Sequence, residues 1–88
     1  MNATTQAAAT DEPDLFRLIE LRARYCDIID RYVRHRAPCR DQADRVVEAV
    51  FQHAAAHLAE IPDQPLPWLI ATARHECAEA RRRALEVA

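Results

Sequence analysis

Residues Pro67 to Arg83 read PWLIATARHECAEARRR, and this stretch decides how the chain folds. A proline at its head suits the first turn of a helix, where its missing N–H would have no partner anyway. No glycine or further proline interrupts the run, and Ala, Leu, Arg and Glu are good helix formers. The spacing predicts a helix over 67–85. It closes on three consecutive arginines, which complement the negative end of the helix dipole. Arg74, Ala78, Arg81 and Arg82 share a face, so Arg74, Arg81 and Arg82 form a stripe suited to tracking a phosphate backbone, with His75 beside Arg74 and Arg83 at the end. The same stripe also reads as an ordinary solvated helix end. Trp68 reads either as the anchor that seats the helix start in the core or as a surface on which an unpaired base stacks.

Upstream, Asp41 to Leu58 read DQADRVVEAVFQHAAAHL. Ala43, Val46, Val47, Val50, Phe51, Ala54 and Leu58 recur at three-four spacing, which predicts a helix over 41–59 with Asp41 as its cap. Between the two helices, EIPDQPLP carries prolines at 62, 65 and 67 and cannot be helical throughout. Ahead of them, Asp11-Glu12-Pro13-Asp14 marks a helix start, and Ala37-Pro38 a stop. The first helix is expected over 13–36, with a buried stripe of Leu15, Leu18, Ile19, Tyr25, Cys26, Ile29, Tyr32 and Val33. Arg22 interrupts that stripe and is expected to lay its stem on the core while its head reaches water. Residues 1–10 are small and polar and are read as a disordered tail. Residues 11–88 then form one all-α domain, a small three-helix bundle.

Composition narrows the function. The chain has 88 residues, half of them hydrophobic, with no glycine and a net charge of −2. All twelve basic residues are arginine. An acidic balance rules against a protein that coats nucleic acid by overall attraction, so any such contact has to be local. Three cysteines, an odd number, argue against a disulfide framework and for a reducing compartment. With no secretion signal and no apolar run of membrane-spanning length, a cytoplasmic location is expected.

Catalysis is not expected. Without glycine there is no phosphate-cradling loop, and without serine one common nucleophile is missing. His53 and His57 lie four apart, and His35, Cys39, His75 and Cys77 are scattered. None forms a metal-ligand spacing, and HECAE lacks the second histidine of a zinc helix. No cofactor is implied. A redox role for Cys26, Cys39 and Cys77 would need a lowered thiol pKa, for which the sequence offers no signal.

Three segments, taken in order, carry a resemblance. Ala43-Asp44-Arg45-Val46-Val47-Glu48-Ala49-Val50-Phe51 is similar to a pattern like A-E-D-L-V-Q-E-V-F. Trp68-Leu69 followed by Ala73-Arg74-His75 is similar to W-L and I-A-R-N. Glu79-Ala80-Arg81-Arg82-Arg83 is similar to a D-x-x-R-R-R type run. From about Leu15 to Arg83 the chain therefore resembles region 2 of the extracytoplasmic-function sigma factors. That resemblance implies a three-helix bundle whose second helix, through Asp44, Arg45 and Glu48, docks on the clamp coiled coil of the largest subunit of RNA polymerase. It also implies a third helix and preceding loop that meet promoter DNA, chiefly the melted single strand of the minus-ten element, through Arg74, His75, Arg81, Arg82 and Arg83.

The pattern is not followed throughout. Arg45 stands where the family has an acid, Glu48 where it has glutamine, and His75 where it has asparagine. The second domain that reads the minus-thirty-five element in that family does not occur within these residues. The resemblance thus implies further partners, an anti-sigma factor or a separate region 4. An alternative is a sigma-like protein-interaction module that has left promoter DNA.

Overall fold

The computed structural model describes residues 12–87, and the expected tail over 1–10 lies outside them. Three helices follow one another: α1 (Glu12–Arg34), α2 (Arg40–Ala56) and α3 (Leu66–Val87), with a 3₁₀ turn at Leu58–Glu60 after α2. No strand occurs among the described residues. The chain is a small all-α three-helix bundle, as its periodicity predicts.

Long-range hydrogen bonds give the up-down-up order. Arg17, near the start of α1, donates to the carbonyls of Leu58, Ile61 and Pro62 beyond the end of α2, at 3.2, 2.8 and 3.3 Å. Arg81, near the end of α3, donates to the carbonyl of Arg36 in the α1–α2 turn at 2.7 Å. Each end of the bundle is thus tied by one guanidinium to backbone carbonyls of a loop or turn.

α1 begins with Glu12 and Asp14 and ends with Arg31 and Arg34, charges that oppose the helix dipole at both ends. Asp30 and Arg34 pair at 2.8 Å one turn apart; this contact raises the Arg34 guanidinium pKa, chiefly through its hydrogen bond to Asp30. The helix stops two residues earlier than expected. The N–H groups of Arg36 and Ala37 both return to the carbonyl of Val33, a tightening that ends the regular ladder before Pro38.

α2 starts at Arg40, so Asp41 lies inside its first turn. The cap position belongs to Cys39, which makes no side-chain cap bond. Asp41 acts there only through its charge near the dipole. At the other end His57 leaves helical dihedrals. Glu60 N–H then bonds to His57 and Ile61 N–H to Leu58. This three-residue winding replaces the last expected helical turn and directs Leu58 and Ile61 into the core. α3 opens one residue early, at Leu66, with Leu69 N–H bonded to the Pro65 carbonyl at 2.9 Å. Pro67 therefore sits within the first turn, where it costs no hydrogen bond.

The whole expected stripe of α2 is buried: Ala43, Val46, Val47, Val50, Phe51, Ala54 and Leu58. Opposite it, α3 presents Leu69, Ala73, Cys77 and Ala80. Valines on one helix thus meet mostly small side chains on the other, which lets the axes approach closely. Each large aliphatic group so buried contributes about 1.5–3 kcal/mol.

The expected stripe of α1 holds only in part. Ile29 and Val33 are fully buried, but Leu15 and Ile19 are 47% and 59% exposed. Leu21 takes a core place instead, because the buried face of α1 runs through Leu18, Leu21 and Tyr25. Arg22 behaves as expected of a long amphipathic side chain. Its guanidinium carbon lies 4.9 Å from the centre of the Phe51 ring while its nitrogens reach Glu48 at 3.0 and 3.4 Å.

Candidate nucleic-acid and protein interfaces

The buried face of α3 is set by Leu69, Ala73, Cys77 and Ala80, and this fixes what points outward. Trp68, His75 and Arg82 are seven residues apart and fall on one line along the outer face, about 10 Å between neighbours. Ala71 and Ala78 lie between them and leave the line unobstructed. Arg74 is exposed beside His75. Trp68 packs partly against the core, and its ring also has a neighbour at the surface. His53 of α2 stacks on it, with centroids 5.7 Å apart and planes 27° apart. His57 follows at 4.3 Å from His53, with its Nδ1 3.2 Å from Glu60 Oε2. Three rings from two helices thus form a ledge beside the proline loop, and the α3 line continues from it.

The loop itself is held rather than loose. Ile61 and Pro65 are buried while Pro62, Asp63 and Gln64 face solvent. Arg17 grips the backbone from α1. Nothing in the residues around Arg17 marks it for this role. A lone arginine in an amphipathic helix carries no mark of a carbonyl partner more than forty residues away.

The three terminal arginines diverge, because successive helical residues are about 100° apart. Arg81 turns towards the α1–α2 turn and binds the Arg36 carbonyl, while Arg36 stacks its guanidinium 4.0 Å over the Tyr32 ring. Arg82 stays on the outer line and pairs with Glu79. Arg83 faces the groove between α2 and α3, where Arg45 stands on the opposite wall. Of the five α3 residues read as DNA-binding, His75 and Arg82 therefore share the outer line with Trp68; Arg74 and Arg81, themselves seven apart, run along the neighbouring line on the α1 side, and Arg83 lies on the α2 side.

On α2, Asp44, Arg45 and Glu48 are all exposed, since the buried stripe occupies the other side. They are not equivalent. Glu48 is engaged with Arg22 of α1. Asp44 acts electrostatically on Arg34, and Arg45 leans to the α3 side.

The cysteines are separated by burial. Cys39 is exposed, Cys26 half-buried and Cys77 buried. Burial pushes the Cys77 thiol above its ordinary range, against the opposing pull of Arg81 and Arg36. Among the described residues no three His, Cys, Asp or Glu side chains gather as a metal site. No described helix is long and apolar enough to cross a membrane. No protein-family model, curated protein or solved structure matches this chain.

Proposed function

We propose that this chain is a cytoplasmic transcription-initiation module of the sigma region 2 type. α2 meets the clamp coiled coil of RNA polymerase, and α3 with its loop meets the melted minus-ten strand of promoter DNA. The observation that carries this reading is the ring ledge of His57, His53 and Trp68 continued by His75 and Arg82, with Arg74 alongside. Rings that stack on bases, set next to guanidinium groups that hold phosphates, are how proteins grip single strands. The net negative charge of the chain confines that grip to this line. An anti-sigma factor or a separate region 4 fits the reading as a further partner.

The test has two arms. Core RNA polymerase is titrated with the purified chain and with Arg45→Asp. A fluorescent single-stranded oligonucleotide carrying a minus-ten sequence is titrated with the parent, Trp68→Ala and the double variant Arg74→Ala/Arg82→Ala. The expected outcome is polymerase binding by the parent, strengthened in Arg45→Asp, and salt-sensitive strand binding. Trp68→Ala loses about 1–3 kcal/mol of strand affinity, and the double variant loses more. Parent chain that binds neither polymerase nor strand overturns the proposal.

A second reading, a protein-interaction module without promoter DNA, is favoured by Arg45. A guanidinium on the polymerase-facing side repels a basic partner.

A further inference from the structure

Two surfaces of this molecule complement each other. The first is the groove between α2 and α3, about 520 Å³ in volume. Its floor is aliphatic and small, with Val46, Ala49, Ala80 and Ala84, and its rim carries Arg45 and Arg83. Among the described residues neither arginine has an ion-pair partner. A floor of alanines lets a third helix approach closely. It offers no aromatic platform for a base.

The second surface is the start of α1. Leu15, Phe16 and Ile19 are 47%, 61% and 59% exposed. Acidic Glu12, Asp14 and Glu20 surround them, while Arg17, the basic residue among them, is turned back onto the loop. This is an amphipathic helical segment with apolar anchors and carboxylate flanks, of the kind that lies in an apolar groove with a basic rim.

We propose that the first turns of α1 of one molecule dock in the α2–α3 groove of a second copy of this chain. Leu15, Phe16 and Ile19 cover the alanine floor, and the acidic flank faces Arg45 and Arg83. The two contacting surfaces differ, so the contact is head-to-tail: in a dimer one molecule keeps its groove free and the other its helix start. This assembly rests on the two surfaces alone and not on the promoter reading.

A mixing experiment tests it. Sedimentation equilibrium is run on the parent, on Arg45→Glu/Arg83→Glu, which damages the groove, and on Phe16→Glu/Ile19→Glu, which damages the helix start. Arg31→Glu, in the last turn of α1, serves as a control for net charge, and circular dichroism confirms helicity throughout. The parent should self-associate reversibly at up to about 1 mM chain, more weakly as salt rises. Each double variant alone should associate at least about tenfold more weakly, and Arg31→Glu should match the parent. Mixed together, the two double variants should form a one-to-one dimer, because each supplies the surface the other lacks. A parent that stays monomeric at the highest concentration overturns the proposal. So does a mixture that associates no better than its components, which would make the contact two-fold symmetric or assign the groove to a different protein.

Discussion

α2 and the first half of α1 have much the same apolar spacing, yet one is wholly buried along its stripe and the other is half in water. On α2 every expected position from Ala43 to Leu58 enters the core. On α1, Leu15 and Ile19 remain exposed and Phe16 is more so. Helix length accounts for part of the difference. α1 has 23 residues and α2 has 17, about 34 Å against 25 Å at 1.5 Å per residue. Arg17 already lies level with the chain beyond the end of α2, so Leu15 and Phe16 project past that helix. Rotation accounts for the rest, since Leu18 and Leu21 turn inward and leave Ile19 outside. Periodicity reports that a helix has two faces. Burial needs a neighbour opposite each turn.

The largest effect that would sharpen this comparison is a pair of truncations. Leu69→Ala, at a fully buried site on α3, should cost about 2–5 kcal/mol in urea unfolding. Phe16→Ala, measured at low protein concentration, should stay within about 0.5 kcal/mol of the parent. A large loss from Phe16→Ala would break the comparison and mean that the start of α1 is covered in the monomer.

A smaller effect concerns the junction between the two regions. Arg17→Met keeps most of the stem but removes three carbonyl contacts, and should cost about 1–2 kcal/mol. Amide exchange at Glu60 and Ile61, whose N–H groups are bonded in the turn, should quicken in this variant while that of Val46 and Val50 follows only the global loss. Equal acceleration at both places would show that the loop has no independent hold.

The smallest effect near neutral pH is a matter of protons at Cys77. Its folded-state thiol is pushed up by burial, so above the ordinary thiol pKa of about 8.5 the folded chain keeps a proton that the unfolded chain releases. The stability contribution is intact below that pH and is lost as pH rises through the raised folded value. The Tm of the parent should therefore fall more steeply above about pH 9 than that of Cys77→Ala. Parallel curves would count against it. At neutral pH iodoacetamide should label exposed Cys39 first and reach Cys77 only on unfolding, because access is limiting.

The legible part of the candidate surfaces was the part carried by one helix. His75 and Arg82 share an outer line, and Arg74 and Arg81 the line beside it, because of the helical repeat, and the buried stripe of α3 fixes where those lines point. The ledge was less legible. His53 and His57 read as histidines four apart with no metal-ligand spacing and Trp68 as either a core anchor or a base platform, and it is the packing of α2 on α3 that stacks the Trp68 ring on His53, with the His57 ring tilted beside it. Arg83 read as one more arginine of a phosphate-tracking run. It is the 100° step from Arg82 that places it in the groove with Arg45.

By itself the sequence determined the all-α class, three helices with the breaks at Pro38 and the proline loop, and the buried stripe of α2. These depend on dihedral limits, helix propensity and a period of 3.6, all of which are local. The tertiary structure decided which face of α1 is buried, where the helix ends tighten, which carbonyls Arg17 and Arg81 satisfy, and which charges share a groove. Those depend on residues tens of positions apart meeting at hydrogen-bond distance, and that meeting exists only once the helices have packed.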